Sequence, residues 1–169
     1  MARAGTRIYG RHHKAVEFIP AKAAEVFAYI DDHVSFSSHM NQSSWMMGGG
    51  HMGTLMDAKE GRKVGSHIVM KGKVFGIAIS LDEVVILREP PLVKAWETVG
   101  TPKLLVIGNY RMAVEIEPSA NGSLLQVSID YNLPEKNALI GKLFGGYYAK
   151  WCVRQMISGV CDKFSTTKT

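Results

Sequence analysis

At 169 residues, with 46% of its side chains hydrophobic, the chain fits one domain whose core needs neither disulfides nor a metal to hold it. No apolar run approaches the ~20 residues of a membrane-spanning helix, and Met1 to Lys14 lacks the apolar region of a secretory signal, so a cytoplasmic protein is expected. The net charge of +5 is concentrated in Arg3, Arg7, Arg11 and Lys14, a stretch without an acid; from residue 15 onward 16 basic side chains stand against 15 acidic ones. A four-charge arm is thin grounds for a polyanion partner, so no nucleic-acid partner is expected. Residues 1–11 read as a solvated basic arm and 12–165 as a single domain.

Residues 12 to 19 alternate weakly and stop at Pro20, as a strand does. Ala21 to Ile30 follows with Ala23, Val26, Phe27 and Ile30 at helical spacing, and Asp31 and Asp32 offer a cap for a second short helix carrying Val34 and Phe36. Asn41 to Gly53 gives a poor signal and reads as an irregular strand or a loop. After Gly61 five β runs follow: Ser66 to Val74, Ile77 to Leu87, Val93 to Val99, Gly108 to Glu117 and Leu124 to Leu133. Pro90-Pro91, Gly100-Thr101-Pro102 and the hairpin signal Asn121-Gly122 separate several of them. Turns this short leave no room for parallel crossovers, so the sheet is antiparallel. Tyr110, Met112, Val114 and Ile116 share one face, as do Leu125, Val127, Ile129 and Tyr131; for Trp96 the run is too short to fix the face.

Asn137 to Phe164 reads as one long helix. Leu139, Leu143, Gly146, Val153, Ile157, Val160 and Phe164 recur at three- and four-residue spacing and are expected to form its buried face. Ile140, Phe144, Tyr147, Tyr148 and Trp151 widen the apolar arc of the first half to about half the circumference, more than a helix lying on one sheet requires. That second surface is either ordinary core or the roof of a cavity. Gly141, Gly145 and Gly146 fit either a bendable lid or close packing against a backbone. Cys152 and Cys161 lie ~13 Å apart along such a helix, too far for a disulfide, and are expected as free thiols.

Three local patterns are better explained without chemistry. Gly48 to Gly53 spells G-x-G-x-x-G, but neither the preceding strand nor the following helix of a nucleotide loop is present, and a strand bulge is the simpler account. His39 and His51 with Met40, Met46, Met47 and Met52 offer soft donors, yet no metal-ligand spacing, so no metal is expected and a Met-lined wall is preferred. Asp31, Asp32, His33, Ser35, Ser37, Ser38 and His39 hold the letters of a nucleophile triad without an elbow to expose a serine, and helix capping accounts for the acids.

The order of strand, two short helices, about six strands and one long helix resembles the helix-grip fold of the START-like (SRPBCC) superfamily. Val16-Glu17-Phe18-Ile19-Pro20-Ala21, then Glu25-Val26-Phe27 and Asp31-Asp32, resemble the opening of its polyketide cyclase/dehydrase and coenzyme Q-binding branches; Val84 to Pro91 and Ala95-Trp96 resemble their middle strands. Asn41 to Asp57 departs from the pattern. The resemblance implies an α+β fold, a curved antiparallel sheet of six to seven strands around the carboxyl-terminal helix. It implies a site for a hydrophobic small molecule such as a lipid, quinone or polyketide, with no cofactor. The expected lining is Phe36, Met70, Trp96, Tyr110, Met112, Tyr131, Phe144, Tyr147 and Trp151. Two other classes stay open: a cyclase or dehydratase moving a proton in the same cavity, and a module docking on a membrane or on a protein, a second copy of the chain included.

Overall fold

The computed structural model describes residues 7–32, 36, 52–74 and 76–165. Seven strands form one sheet: β1 (Arg11–Ile19), β2 (Met52–Met56), β3 (His67–Val74), β4 (Ile77–Glu89), β5 (Val93–Lys103), β6 (Tyr110–Ser119) and β7 (Gly122–Tyr131). A short helix α1 (Ala23–Asp31) follows β1, and a long helix α2 (Ala138–Ser165) ends the fold. The strand order is β1-β7-β6-β5-β4-β3-β2, with every neighbouring pair antiparallel. Hairpins build five of these pairings; β7 closes the other by pairing with β1, as short connections require. The expected hairpin at Asn121-Gly122 is present, with Ser119 paired to Gly122. The expected second short helix lies outside the described residues except for Phe36, whose amide donates to the Asp32 carbonyl at 2.9 Å.

The sheet curves because β4 loses register against β5 twice, between Ser80 and Asp82 and between Val85 and Leu87. Each irregularity adds local bend and twist. On the concave face the pairs Met112–Ile129, Val114–Val127 and Ile116–Leu125 stand opposite one another and are almost fully buried. They join Val26, Phe27 and Ile30 of α1 and Ala149, Val153, Ile157 and Val160 of α2 in one hydrophobic core.

Two parts of the chain are held differently from the simplest reading of their sequence. The arm is described from Arg7 on, and there it is tied down: Arg7 Nη1 donates to the Thr98 carbonyl at 2.8 Å, and Gly10 N donates to Asn132 Oδ1 at 2.9 Å. Among the described residues the Asp31 side chain reaches two cations. It is buried and takes an ion pair from Arg88 Nη2 at 2.8 Å and another from Lys94 Nζ at 3.0 Å, joining α1 to β4 and β5. Lys94 has no exposed surface, so Asp31 is what makes its charge tolerable there. Its pKa is lowered by burial, against the opposing pull of Asp31.

The long helix corrects the expected burial pattern. Leu139 and Leu143 are 76% and 75% exposed, and the sheet-facing line of the first half runs through Gly141, Gly145, Ala149 and Cys152. The reason is steric. A Cβ on Gly141 would lie 2.4 Å from Pro134 Cδ, and one on Gly145 would lie 3.0 Å from the Val106 carbonyl oxygen. This end of the helix rests directly on the segment before β6 and the segment after β7, where no leucine would fit. Close packing against a backbone is therefore what Gly141 and Gly145 provide.

Candidate functional site

One acid breaks the apolar concave wall. β4 points Ile79, Leu81, Glu83 and Val85 to the same side, and all four are buried. Glu83 is 2% exposed, with Thr98 of β5 directly opposite it across the ladder. The Tyr110 hydroxyl, reaching over from β6, donates to Glu83 Oε1. The Trp96 side chain, inward from β5, also hydrogen-bonds this carboxyl. Among the described residues Oε2 has no hydrogen-bond partner. A buried acceptor left open costs about 1–3 kcal/mol and is an uncommon feature of a native core.

Backbone chemistry sets the position of Tyr110. Its N–H donates to Thr98 Oγ1 at 3.1 Å, and Asn109 Nδ2 donates to the same oxygen at 3.1 Å, which fixes the start of β6 against β5. From the other side α2 contributes Tyr148 and Cys152, four residues apart and so on one helical face. The Cys152 thiol is pushed up to about 12 by burial and remains a neutral thiol. Tyr148 is raised well above the ordinary phenol value by its contact with Cys152 and by burial.

Burial also dominates Glu83. It pushes the carboxyl up to about 7, against the opposing effects of the Tyr110 and Trp96 hydrogen bonds. Tyr110 moves well above the ordinary phenol value, first by burial and then by the adjacent carboxyl, so it stays a donor across the neutral range. The pair thus combines a fixed O–H donor with an acid that exchanges its proton near neutrality, inside an apolar wall. Such a pair can bind a hydroxyl, amine or carbonyl, or pass it a proton.

The expected lining residues divide into two groups. Phe36, Trp96, Tyr110, Met112 and Tyr131 are buried and belong to the core on the concave side, with Met70 half-buried against it. Trp96 stands opposite Met112 and Val85, which settles its face as inward. Phe144 and Tyr147, by contrast, are 55% and 63% exposed and point away from the sheet, because the glycine line rather than the aromatic line faces it. Trp151 is half-buried with its ring 5.8 Å from that of Tyr148. Sequence reasoning missed Glu83, Tyr148 and Cys152. For Glu83 the signal was present, since it falls in phase with Ile79, Leu81 and Val85.

Of the residues weighed as metal ligands, His39, Met40, Met46, Met47 and His51 lie outside the described residues, as do His33, Ser35, Ser37 and Ser38 of the triad-like stretch. Among the described residues no three His, Cys, Asp or Glu side chains come together as a metal would need. No described helix is long and apolar enough to cross a membrane. An open groove along Val16, Leu92, Val93 and Leu124 lies on the outer face of the sheet, opposite the buried acid.

No family model and no curated protein matches the sequence. Solved structures do match. An aromatase/cyclase, ZhuI from Streptomyces sp. R1128, superposes with a TM-score of 0.67 at 11% identity, over 92% of this chain and 93% of that one. Norcoclaurine synthase from Thalictrum flavum, in complex with dopamine and hydroxybenzaldehyde, gives 0.63 at 15% identity over 94% and 87%. Ara h 8.0201 gives 0.63 at 9% identity over 93% and 99%. Identity this low carries the fold and nothing further. With the strand order, the curved antiparallel sheet and the gripped helix, the likeness establishes that this chain has a helix-grip fold.

Proposed function

We propose that the protein binds a hydrophobic small molecule carrying one polar group, between the concave sheet and α2. The observation that carries this reading is the open oxygen of Glu83 in a largely apolar wall. A ligand hydroxyl or amine donating to Oε2 would complete the hydrogen bonding that the protein leaves unfinished. Met70, Trp96, Met112 and Tyr131 are the proposed apolar lining and Tyr110 the second polar contact. Two of the fold neighbours support the class: one is described as an aromatase/cyclase and another holds dopamine and hydroxybenzaldehyde.

The test is native mass spectrometry of protein purified from its own host, followed by titration with a neutral naphthalene dye. Trp45 and Trp151 are replaced by Phe so that Trp96 reports alone. A retained molecule or saturable quenching that Glu83→Gln weakens supports the reading. Absence of both would sink it.

A second reading is favoured by the pairing of Glu83 with Tyr110. With a bound ketone, ionised Glu83 can take a proton from the carbon beside the carbonyl while Tyr110 gives its proton to the carbonyl oxygen, leaving an enol. Return of the proton from Glu83 to the phenolate resets the pair. Exchange of substrate protons with deuterated solvent, abolished by Glu83→Gln, separates this enzyme reading from binding alone.

A further inference from the structure

The outward face of α2 is divided along its length. Leu139, Leu143 and Tyr147 stand at four-residue spacing on the solvent side, with Ile140 and Phe144 beside them, and all five are exposed, from 46% to 76%. One turn further on, the same stripe continues through Lys150 and Arg154, both exposed. Lys136 and Lys142 flank the apolar end. From Lys136 to Cys161 the sequence holds four cations and no acid. Lys150 and Arg154 also act on His13 of β1, so the edge strand adjoins the basic half of this face.

We infer that this face docks the protein on an anionic lipid surface, the apolar end of α2 entering the headgroup region while Lys150 and Arg154 meet lipid phosphates. The pattern is that of a helix lying in the interface plane, with apolar and aromatic side chains for the boundary and cations for the headgroups. A second copy of the chain is the competing occupant. Charge favours the lipid surface, because between Glu135 and Asp162, the exposed acids at its two ends, this face carries only cations, and a two-fold contact would set them against their own image. Among the described residues these five exposed apolar side chains sit on a face whose charge favours a negatively charged partner.

The inference is independent of the ligand reading. It is tested by flotation of the full chain with phosphatidylcholine vesicles, with and without phosphatidylglycerol, over a range of salt. Binding is expected to the anionic vesicles alone and to weaken as salt rises. The residues altered on α2 are all exposed, so those variants should fold, and circular dichroism checks this for every variant. Leu143→Ser with Phe144→Ser and Tyr147→Ser should abolish flotation, and Lys150→Gln with Arg154→Gln should weaken it about 30-fold. Glu83→Gln should leave it unchanged, which separates failure here from failure of the ligand reading. No flotation, equal flotation with neutral vesicles, or a dimer in sedimentation that the triple variant breaks would each overturn the inference.

Discussion

Replacing Glu83 with Gln keeps the side chain's size and an oxygen for the Tyr110 hydroxyl while removing the ionisable group. The carboxyl titrates at about 7 in the fold against 4.5 when free. Between those values the folded chain holds the proton and the unfolded chain has lost it. Stability of the parent must therefore fall as pH rises through that window and level off above it. At about 1.4 kcal/mol per tenfold change in proton affinity, the loss amounts to about 3 kcal/mol. His13 acts in the opposite sense, since burial lowers its pKa and makes the unfolded chain the better proton binder. The parent's own slope mixes the two, whereas the difference between parent and variant cancels His13. Urea unfolding at several values from pH 5 to pH 8 should show the Gln variant gaining on the parent as pH rises, by up to about 3 kcal/mol. A difference that stays constant with pH would refute the burial argument for Glu83.

Asp31→Ala should destabilise the fold by about 3–5 kcal/mol, because it leaves Lys94 buried without a counter-charge, and a further Lys94→Met change should restore much of the loss in denaturant titrations. Gly141→Ala should lower stability by about 1–3 kcal/mol despite the better helix propensity of Ala, since the new methyl would meet Pro134; a stabilised variant would show that the helix end is free to shift. Trp96→Ala should cost the ~3–5 kcal/mol of a core tryptophan and half-buried Trp151→Ala less, which parallel thermal melts can rank. Cys152, held as a thiol with a pKa of about 12, should be alkylated at pH 8 only as the fold opens; mass spectrometry showing Cys152 modified faster than half-buried Cys161 would contradict its burial.

The sheet was readable because its signals are local. Alternation in Tyr110 to Ile116 and Leu125 to Tyr131, with a turn at Asn121-Gly122, fixes faces and partners without knowledge of the rest of the chain. The same alternation also carries the site, although an acid in an apolar register is easily passed over. Glu83 and Lys94 both occupy inward positions on their strands, yet a sequence cannot say which of them has a partner. Lys94 finds Asp31 from α1, more than sixty residues away, whereas Glu83 keeps one oxygen open. That difference depends on tertiary contacts with no sequence period, and it separates a structural ion pair from a candidate functional group.

The long helix failed differently, and the failure bears on function. Periodicity ranks faces by hydrophobicity, and the first half of α2 is apolar nearly all round, so Leu139 and Leu143 outweigh Gly141 and Gly145 in any such ranking. Packing ranks faces by fit instead. The side chains absent from Gly141 and Gly145 let the backbone of α2 settle on Pro134 and Val106, and this turns every large apolar residue of that half outward except Tyr148 and Trp151. An apolar arc too wide for one sheet implied a second buried surface, either core or a cavity roof. Its location was misjudged, because the aromatics assigned to a cavity roof face solvent. Tyr148 and Cys152 are the α2 side chains that come near Glu83 instead, and the surplus apolar surface is the face proposed above to meet a lipid surface.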